Sequence, residues 1–246
     1  MRPVPELSIT GDDIIIELEP ESPTSSQSSD SSSSRESQVA LRKELYRQFI
    51  MSLRPPPLQY SWTIWFDKYS NTTDYESRLY VLQEDVASIK TFYQVYNNYP
   101  WDRIAMRDSV HIFRKGIKPV WEDPENLKGG CWRFRVPKAK AQDFFHEIAI
   151  LCLASEFEVA MEEQNDHVLG VSISVRFNSN IISIWNKLGS NENSIKILGE
   201  TIINRLSPHL RPTEGPAPNV YFYRRHDENE GYKEAVEALA AIQEEE

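Results

Sequence analysis

A tryptophan stands directly before a carboxylate at Trp121-Glu122, between Pro119 and Pro124 and just upstream of Gly129-Gly130. These residue types suit one task. An indole offers a flat face to stack on a purine base, and the adjoining carboxylate accepts hydrogen bonds from N–H groups such as guanine presents along its edge. On spacing alone the plainer reading, a core indole ahead of an acidic turn, is the stronger of the two. No nucleophile sits beside a base, and no Gly-rich loop is built to cradle phosphates. Cys131 and Cys152 show no metal-ligand spacing, and the 5 histidines do not cluster with them. Glu162-Glu163 and Asp166 are the carboxylates closest to a metal-dependent hydrolase arrangement, yet they follow a helical pattern as a polar loop. The expectation is a binding protein with no catalytic residue, no metal and no cofactor.

The residues around this pair must be positioned by an alternation of strands and helices. Runs rich in β-branched and aromatic residues predict strands at 59–66, 78–82, 110–114, 131–136, 170–177, 181–186 and 220–223, with Asn178-Ser179-Asn180 as a hairpin turn. Apolar residues at helical spacing predict helices over 86–98, 138–157 and 194–206. In the second of these Phe144, Phe145, Ile148, Ile150, Leu151, Cys152 and Leu153 circle most of the axis. A helix apolar all round is covered on more than one side. The pattern predicts an α+β domain, an antiparallel sheet with helices packed on one face.

Charge divides the chain. The net charge is -10, but residues 55–225 hold 20 Lys+Arg and 20 Asp+Glu, so the acidity lies in the two tails. A neutral core with a local basic rim suits a short ligand with few phosphates and does not suit a long duplex. Four regions follow: a Ser-rich acidic tail at 1–37 expected to be disordered, an amphipathic helical lead-in at 38–54, a folded domain at 55–225, and an acidic tail at 226–246 with helical spacing of Tyr232, Val236 and Leu239. Within the first tail, Asp12-Asp13-Ile14-Ile15-Ile16-Glu17-Leu18 has the form of a SUMO-interaction motif, which binds by adding a strand to a sheet edge; the plainer reading is an accidental sticky patch. No apolar run is long enough to span a bilayer, so no membrane association is expected. A reduced monomer in the cytoplasm, or in cytoplasm and nucleus, is the expected setting.

Several motifs in order resemble the translation initiation factor 4E family. Gly116-Ile117-Lys118-Pro119-Val120-Trp121-Glu122-Asp123 looks like its cap-binding segment, Pro57-Leu58-Gln59-Tyr60-Ser61-Trp62-Thr63-Ile64-Trp65-Phe66 like its opening strand, Phe92-Tyr93-Gln94-Val95-Tyr96-Asn97 like its first helix, and Val175-Arg176-Phe177 through Ile184-Trp185-Asn186-Lys187 like its late hairpin. The wording of that hairpin, with a tyrosine at the first stacking position, is most similar to the 4E homologous protein branch, the class II and often repressive cap binders. The resemblance implies a sheet of about eight strands with three helices on the convex face, and the 7-methylguanosine cap of messenger RNA as ligand.

The resemblance also assigns residues. Tyr75 and Trp121 would sandwich the methylated base, whose delocalised positive charge adds cation–π attraction to stacking. Glu122 would accept from two N–H groups of that cation, Trp185 would contact the methyl group, and Arg176 would grip phosphate. Read from the residues alone, Tyr75 is a loop aromatic, Trp185 alternates with Ile182 and Ile184 in a strand that leaves its side open, and Arg176 is an ordinary strand-edge cation. The family's main branch has further basic residues where this chain has Cys131, Asn178 and Ile181, which implies weaker phosphate binding. Lys128, Lys187, Arg211 and Arg224 are the candidates to compensate.

A second implied surface receives a Tyr-x-x-x-x-Leu-apolar helix from a scaffold or repressor protein, at positions matching Pro57, Ile89, Tyr93, Glu147 and Ile150. Tyr46 to Met51 loosely imitates that helix and is a candidate to fold back on the same surface. The implied function is cap binding that regulates translation initiation, as a class II repressor or specialised factor. The alternatives are a conventional initiation factor that recruits the scaffold subunit, and a cap-inactive scaffold that only docks partner helices.

Overall fold

The computed structural model describes residues 40–47, 57–70, 76–212 and 220–245. The chain divides into two units, Met1–Arg54 and Pro55–Glu246. Of the first, one short helix is described, α1 at 40–47, within the predicted lead-in. The Ser-rich tail and the Ile14 run lie outside the described residues, as do Met51 and Tyr75.

Among its described residues the second unit has seven strands: β1 (Trp62–Asp67), β2 (Leu79–Val86), β3 (Ser109–Arg114), β4 (Gly130–Pro137), β5 (Val168–Val175), β6 (Ser179–Asn186) and β7 (Tyr221–Arg225). Their order across the sheet is β2-β1-β3-β5-β6-β4-β7, and every neighbouring pair is antiparallel. Each of the seven patterned runs became one strand, in keeping with the antiparallel sheet of about eight that the resemblance implied. The hairpin turn centres on Phe177-Asn178, one residue earlier than expected, because Arg176 N–H donates to Ser179 O at 3.0 Å and Ser179 already pairs in β6.

Five helices complete the unit: α2 (Ile89–Tyr96), α3 (Lys138–Leu153), α4 (Glu156–Met161), α5 (Glu192–Arg205) and α6 (Tyr232–Glu245). Ser88 caps α2 by accepting from Thr91 N–H at 3.1 Å, and Asn191 caps α5 by accepting from Ser194 N–H at 3.1 Å, each satisfying a donor the helix leaves unpaired. The single helix predicted over 138–157 is two. Ser155 adopts a left-handed backbone at φ 61, and its N–H turns back to Cys152 O at 3.1 Å. That geometry ends one helix and redirects the chain. The redirection lets α4 pack against α3 and α5, and so supplies the second covering that an all-apolar helix needs.

Period-2 alternation assigns the sheet two faces with different work. Trp62, Ile64, Val110, Ile112, Phe134, Val136, Ile173, Ile182 and Ile184 point to one face, where they bury with Phe144, Phe145 and Ile148 of α3 and Leu198 and Ile202 of α5 in one core. The intervening residues, Asp67, Ser109, His111, Arg133, Ser174 and Trp185, point to the other face. The polar chemistry gathers there because the first face is already filled with hydrocarbon.

Candidate ligand cleft

Those opposite-face residues form the floor of an open cleft of about 390 Å³, and the segment carrying Trp121 and Glu122 forms one wall. The size falls in the range of small-ligand pockets, roughly 300–1,000 Å³. Of the five residues assigned to the ligand, Trp121, Glu122, Arg176 and Trp185 all line this one cleft. Tyr75 is outside the described residues. The chain on either side of it, at Asp67 and Tyr69 and again at Arg78 and Leu79, lines the same cleft.

The wall is held in shape by its own polar groups. Asp123 accepts from Lys118 N–H and Glu125 N–H, both at 2.9 Å. Asn126, fully buried, donates through its amide to Lys118 O at 2.8 Å and Val120 O at 2.7 Å. At the base of the wall, a Cβ on Gly129 would meet Asn186 O at 2.1 Å and one on Gly130 would meet the Tyr223 hydroxyl at 2.4 Å. Only glycine lets the segment leave β4 so close to β6 and β7. The Trp121 ring stacks on Tyr232 of α6 with centroids 6.3 Å apart and planes 29° from parallel. Tyr232 is not among the cleft-lining residues, so it supports the indole from outside and leaves a face toward the cleft.

Trp185 resolves to the cleft face, while Ile182 and Ile184 are completely buried on the other. Its indole N–H donates to Ser172 Oγ at 2.9 Å, and its ring meets Phe113 edge-on at 5.3 Å and His226 at 4.7 Å. Burial pushes the His226 imidazole down to about 4, so it sits neutral, its Nδ1 2.7 Å from Asn126 O. The end of β6 is fixed just beyond. Asn186 donates to the buried Asp166 at 2.8 Å and accepts from the Tyr223 hydroxyl at 2.8 Å, and Asp166 also accepts from Leu188 N–H at 3.0 Å and from the Ser194 hydroxyl.

The electrostatics are those of a site with two poles. Burial raises the Glu122 carboxyl above its ordinary range, the signature of an acid partly stripped of water. Arg107, Arg133 and Arg176 also lie on the lining. Burial first, then the like charges of Arg107 and Arg133, lower the Arg176 guanidinium. None of the three has a carboxylate within ion-pair distance among the described residues; Arg107 donates to the Tyr69 hydroxyl, Arg133 to Cys131 Sγ at 3.3 Å and Arg176 to Val175 O at 2.9 Å. By contrast Arg78 is neutralised, with a bidentate grip on Asp67 at 3.0 and 3.1 Å. Asp67 offsets part of this at Arg176, but crowded guanidinium groups with no ion-pair partner repel one another, and a polyanion relieves that repulsion. His111 on the floor is buried and pushed down to about 3 by burial, and neither ring nitrogen has a hydrogen-bond partner in the protein. Both nitrogens are themselves buried beneath the floor.

Of the four cations that the resemblance left to compensate, two are already bonded within the protein. Lys187 pairs with Glu125 at 2.6 Å and Arg211 bonds the carbonyls of Asn204 and Leu206 at 2.9 Å, while Lys128 and Arg224 are not on the cleft lining. Arg133, which is not among those four, does line the cleft. It stands two residues from Cys131 on β4, so alternation puts both side chains on the same face. That signal was present in the spacing of Cys131, Arg133 and Arg135. Arg107 and His111 carried no such signal.

On the opposite side of the sheet, Ile89 and Tyr93 of α2 and Ile150 of α3 are half-buried at the edge of the core. The Tyr93 hydroxyl lies 3.0 Å from His146 Nε2 of α3, which brings the two helices together. Pro57 is exposed beside the start of α2, where Leu58 N–H donates to Ala87 O at 3.0 Å. Glu147 accepts from Ser207 N–H at 2.9 Å and from its hydroxyl at 2.6 Å, so it is already tied to the chain beyond α5.

Comparison with known proteins adds independent findings. The protein-family model described as Eukaryotic initiation factor 4E matches residues 57–238. The chain is 27% identical over 158 residues to rice Eukaryotic translation initiation factor NCBP, covering 62% of this chain and 67% of that protein. It is 30% identical over 151 residues to Eukaryotic translation initiation factor 4E-1 of Cucumis melo, covering 60% and 62%. Its fold is similar to that of C. elegans eIF4E-3 solved with the 4E-binding protein Mextli and a cap analog, at a TM-score of 0.59 and 22% identity, covering 70% of this chain and 92% of that one.

Proposed function

This chain belongs to the eukaryotic initiation factor 4E family, and we propose that its cleft binds the 7-methylguanosine cap of messenger RNA and that the protein regulates translation initiation. One observation carries the reading. A flat indole, a desolvated carboxylate and three guanidinium groups with no ion-pair partner among the described residues share one cleft, Trp121 and Glu122 on its wall and Arg107, Arg133 and Arg176 elsewhere on its lining. The ligand that matches all three is a cationic base joined to a short polyphosphate.

Each group has a physical task. The methylated base carries positive charge spread over its ring, so stacking on Trp121 gains a cation–π component. The Glu122 carboxylate, short of water when the cleft is empty, regains two charge-assisted hydrogen bonds from the edge of the base. Trp185, fixed by Ser172, Phe113 and His226, supplies an apolar wall suited to a methyl group. Tyr75 is assigned as the second slab by its place in the chain. Retention on immobilised 7-methyl-GTP, released by free 7-methyl-GTP and not by equimolar GTP, tests the reading. Elution by both nucleotides alike would overturn it.

The finer role we infer is that of a class II regulator, recruited through the face formed by Pro57, Ile89, Tyr93 and Ile150. A half-exposed apolar strip on two adjoining helices suits a partner helix with anchors one turn apart. Binding of a peptide carrying the Tyr-x-x-x-x-Leu-apolar motif, and competition between scaffold and repressor versions of it, tests this role separately from the cap.

A further inference from the structure

The cap reading leaves a second cavity unused. It holds about 520 Å³ and is lined by Met106, Arg107, Arg135, Arg176, Phe177 and Asn178 among others. Arg107 and Arg176 line this cavity and the cap cleft alike, so the two are joined at the pole assigned to phosphate. Arg135 extends the same line. It follows Arg133 by two residues on β4 and shares its face, and it is exposed with no carboxylate partner among the described residues. At the cavity's rim stand two side chains that folding does not explain. Phe177, at the tip of the β5–β6 hairpin, is 78% exposed, and Met106 is 54% exposed. Arg107 is bonded to that hairpin, its N–H donating to Val175 O at 2.9 Å from a backbone at φ 77.

We propose that this basin receives the first nucleotides of the RNA that follow the cap, with Phe177 stacking on a base and Arg135 gripping its phosphate. The proposal rests on the cap reading for the direction in which the chain of phosphates leaves the cleft. A row of cations interleaved with an exposed aromatic is the combination that holds single-stranded nucleic acid: guanidinium groups follow the backbone and the ring accepts any base. The same row would not recognise a duplex, which needs many more phosphate contacts than this short line offers. An exposed phenylalanine on a tight hairpin tip loses nothing by packing only when a ligand arrives.

The test compares two ligands, 7-methyl-GTP and a short capped single-stranded oligoribonucleotide, on the wild-type chain and on Phe177→Ala and Arg135→Ala. The wild type is expected to bind the capped oligonucleotide about tenfold tighter than 7-methyl-GTP. Phe177→Ala should erase about fivefold of that gain while leaving 7-methyl-GTP affinity unchanged. Arg135→Ala should flatten the salt dependence for the oligonucleotide by about 0.7 in log–log slope. Unchanged 7-methyl-GTP affinity also shows that both variants are folded. Equal affinity of the wild type for the two ligands, a gain that survives both substitutions, or an equal loss on both ligands overturns the proposal and leaves the cap reading standing. Absence of any 7-methyl-GTP binding by the wild type overturns both.

Discussion

Replacing Glu122 with glutamine isolates the charge of the cleft's acidic pole from its shape. The side chain keeps its length and one acceptor oxygen, but the second oxygen becomes an N–H₂ group aimed at the donors of the base. Hydrogen bonds to a charged group contribute about 1.5–3 kcal/mol. Glu122 is half-buried, so the lower part of that range applies, about 2 kcal/mol, which corresponds to roughly a 30-fold weaker Kd for 7-methyl-GTP. For unmethylated GTP the base is neutral, the Coulomb component is absent and the loss should be smaller, about fivefold. Discrimination between the two nucleotides therefore shrinks, and that ratio is the informative quantity. Quenching of tryptophan fluorescence reads both affinities, because Trp121 and Trp185 line the cleft. A pH series adds a sign check. Burial raises the empty-site carboxyl, and a cationic ligand favours its ionised form. Binding should therefore weaken in the wild type as pH falls into the range where this carboxyl takes up its proton, a range lying above that of an ordinary glutamate, and Glu122→Gln should remove this carboxyl's contribution to that fall. A Kd within twofold of wild type, or an unchanged methylated-to-unmethylated ratio, would refute the assignment of Glu122 to the base.

Arg133→Ala should weaken 7-methyl-GTP binding about tenfold and lower its log–log salt slope by about 0.7, while binding of the 7-methylguanosine nucleoside stays the same; equal losses on both ligands would place Arg133 away from phosphate. Asp166→Ala leaves the Asn186 amide, Leu188 N–H and Ser194 hydroxyl without their shared acceptor, so urea denaturation should report a loss of about 3 kcal/mol. Ile89→Asp puts a charge on the helical face and should weaken a Tyr-x-x-x-x-Leu-apolar peptide at least about tenfold with 7-methyl-GTP affinity intact, as isothermal titration would show.

The sheet was legible because its code is local. The seven runs stood out by their β-branched and aromatic residues, and in β6 alternation was clear enough that Ile182 and Ile184 could be told from Trp185 once the direction of the core was known. The break between α3 and α4 was not legible, because Ser155 carries no turn chemistry strong enough to outweigh apolar spacing that continues through Phe157. In the site, Trp121 and Glu122 stood out as neighbours in the chain. Arg176 and Trp185 needed the family resemblance to be chosen at all, since a single cation or indole on a strand says nothing about its surroundings. Arg107 joins the cleft from a turn nearly seventy residues away from Arg176, and His111 belongs to it only because β3 sits centrally in the sheet. Contacts of that separation are set by strand order, which residue spacing does not encode.

The ring of Tyr232 leaning on Trp121 gives the final helix a stake in an event that happens on the far side of an indole. A change that removes or displaces that ring therefore reaches the wall of the cleft without touching any residue that lines it. Truncations that remove Tyr232 should be judged as mutations of the cleft wall.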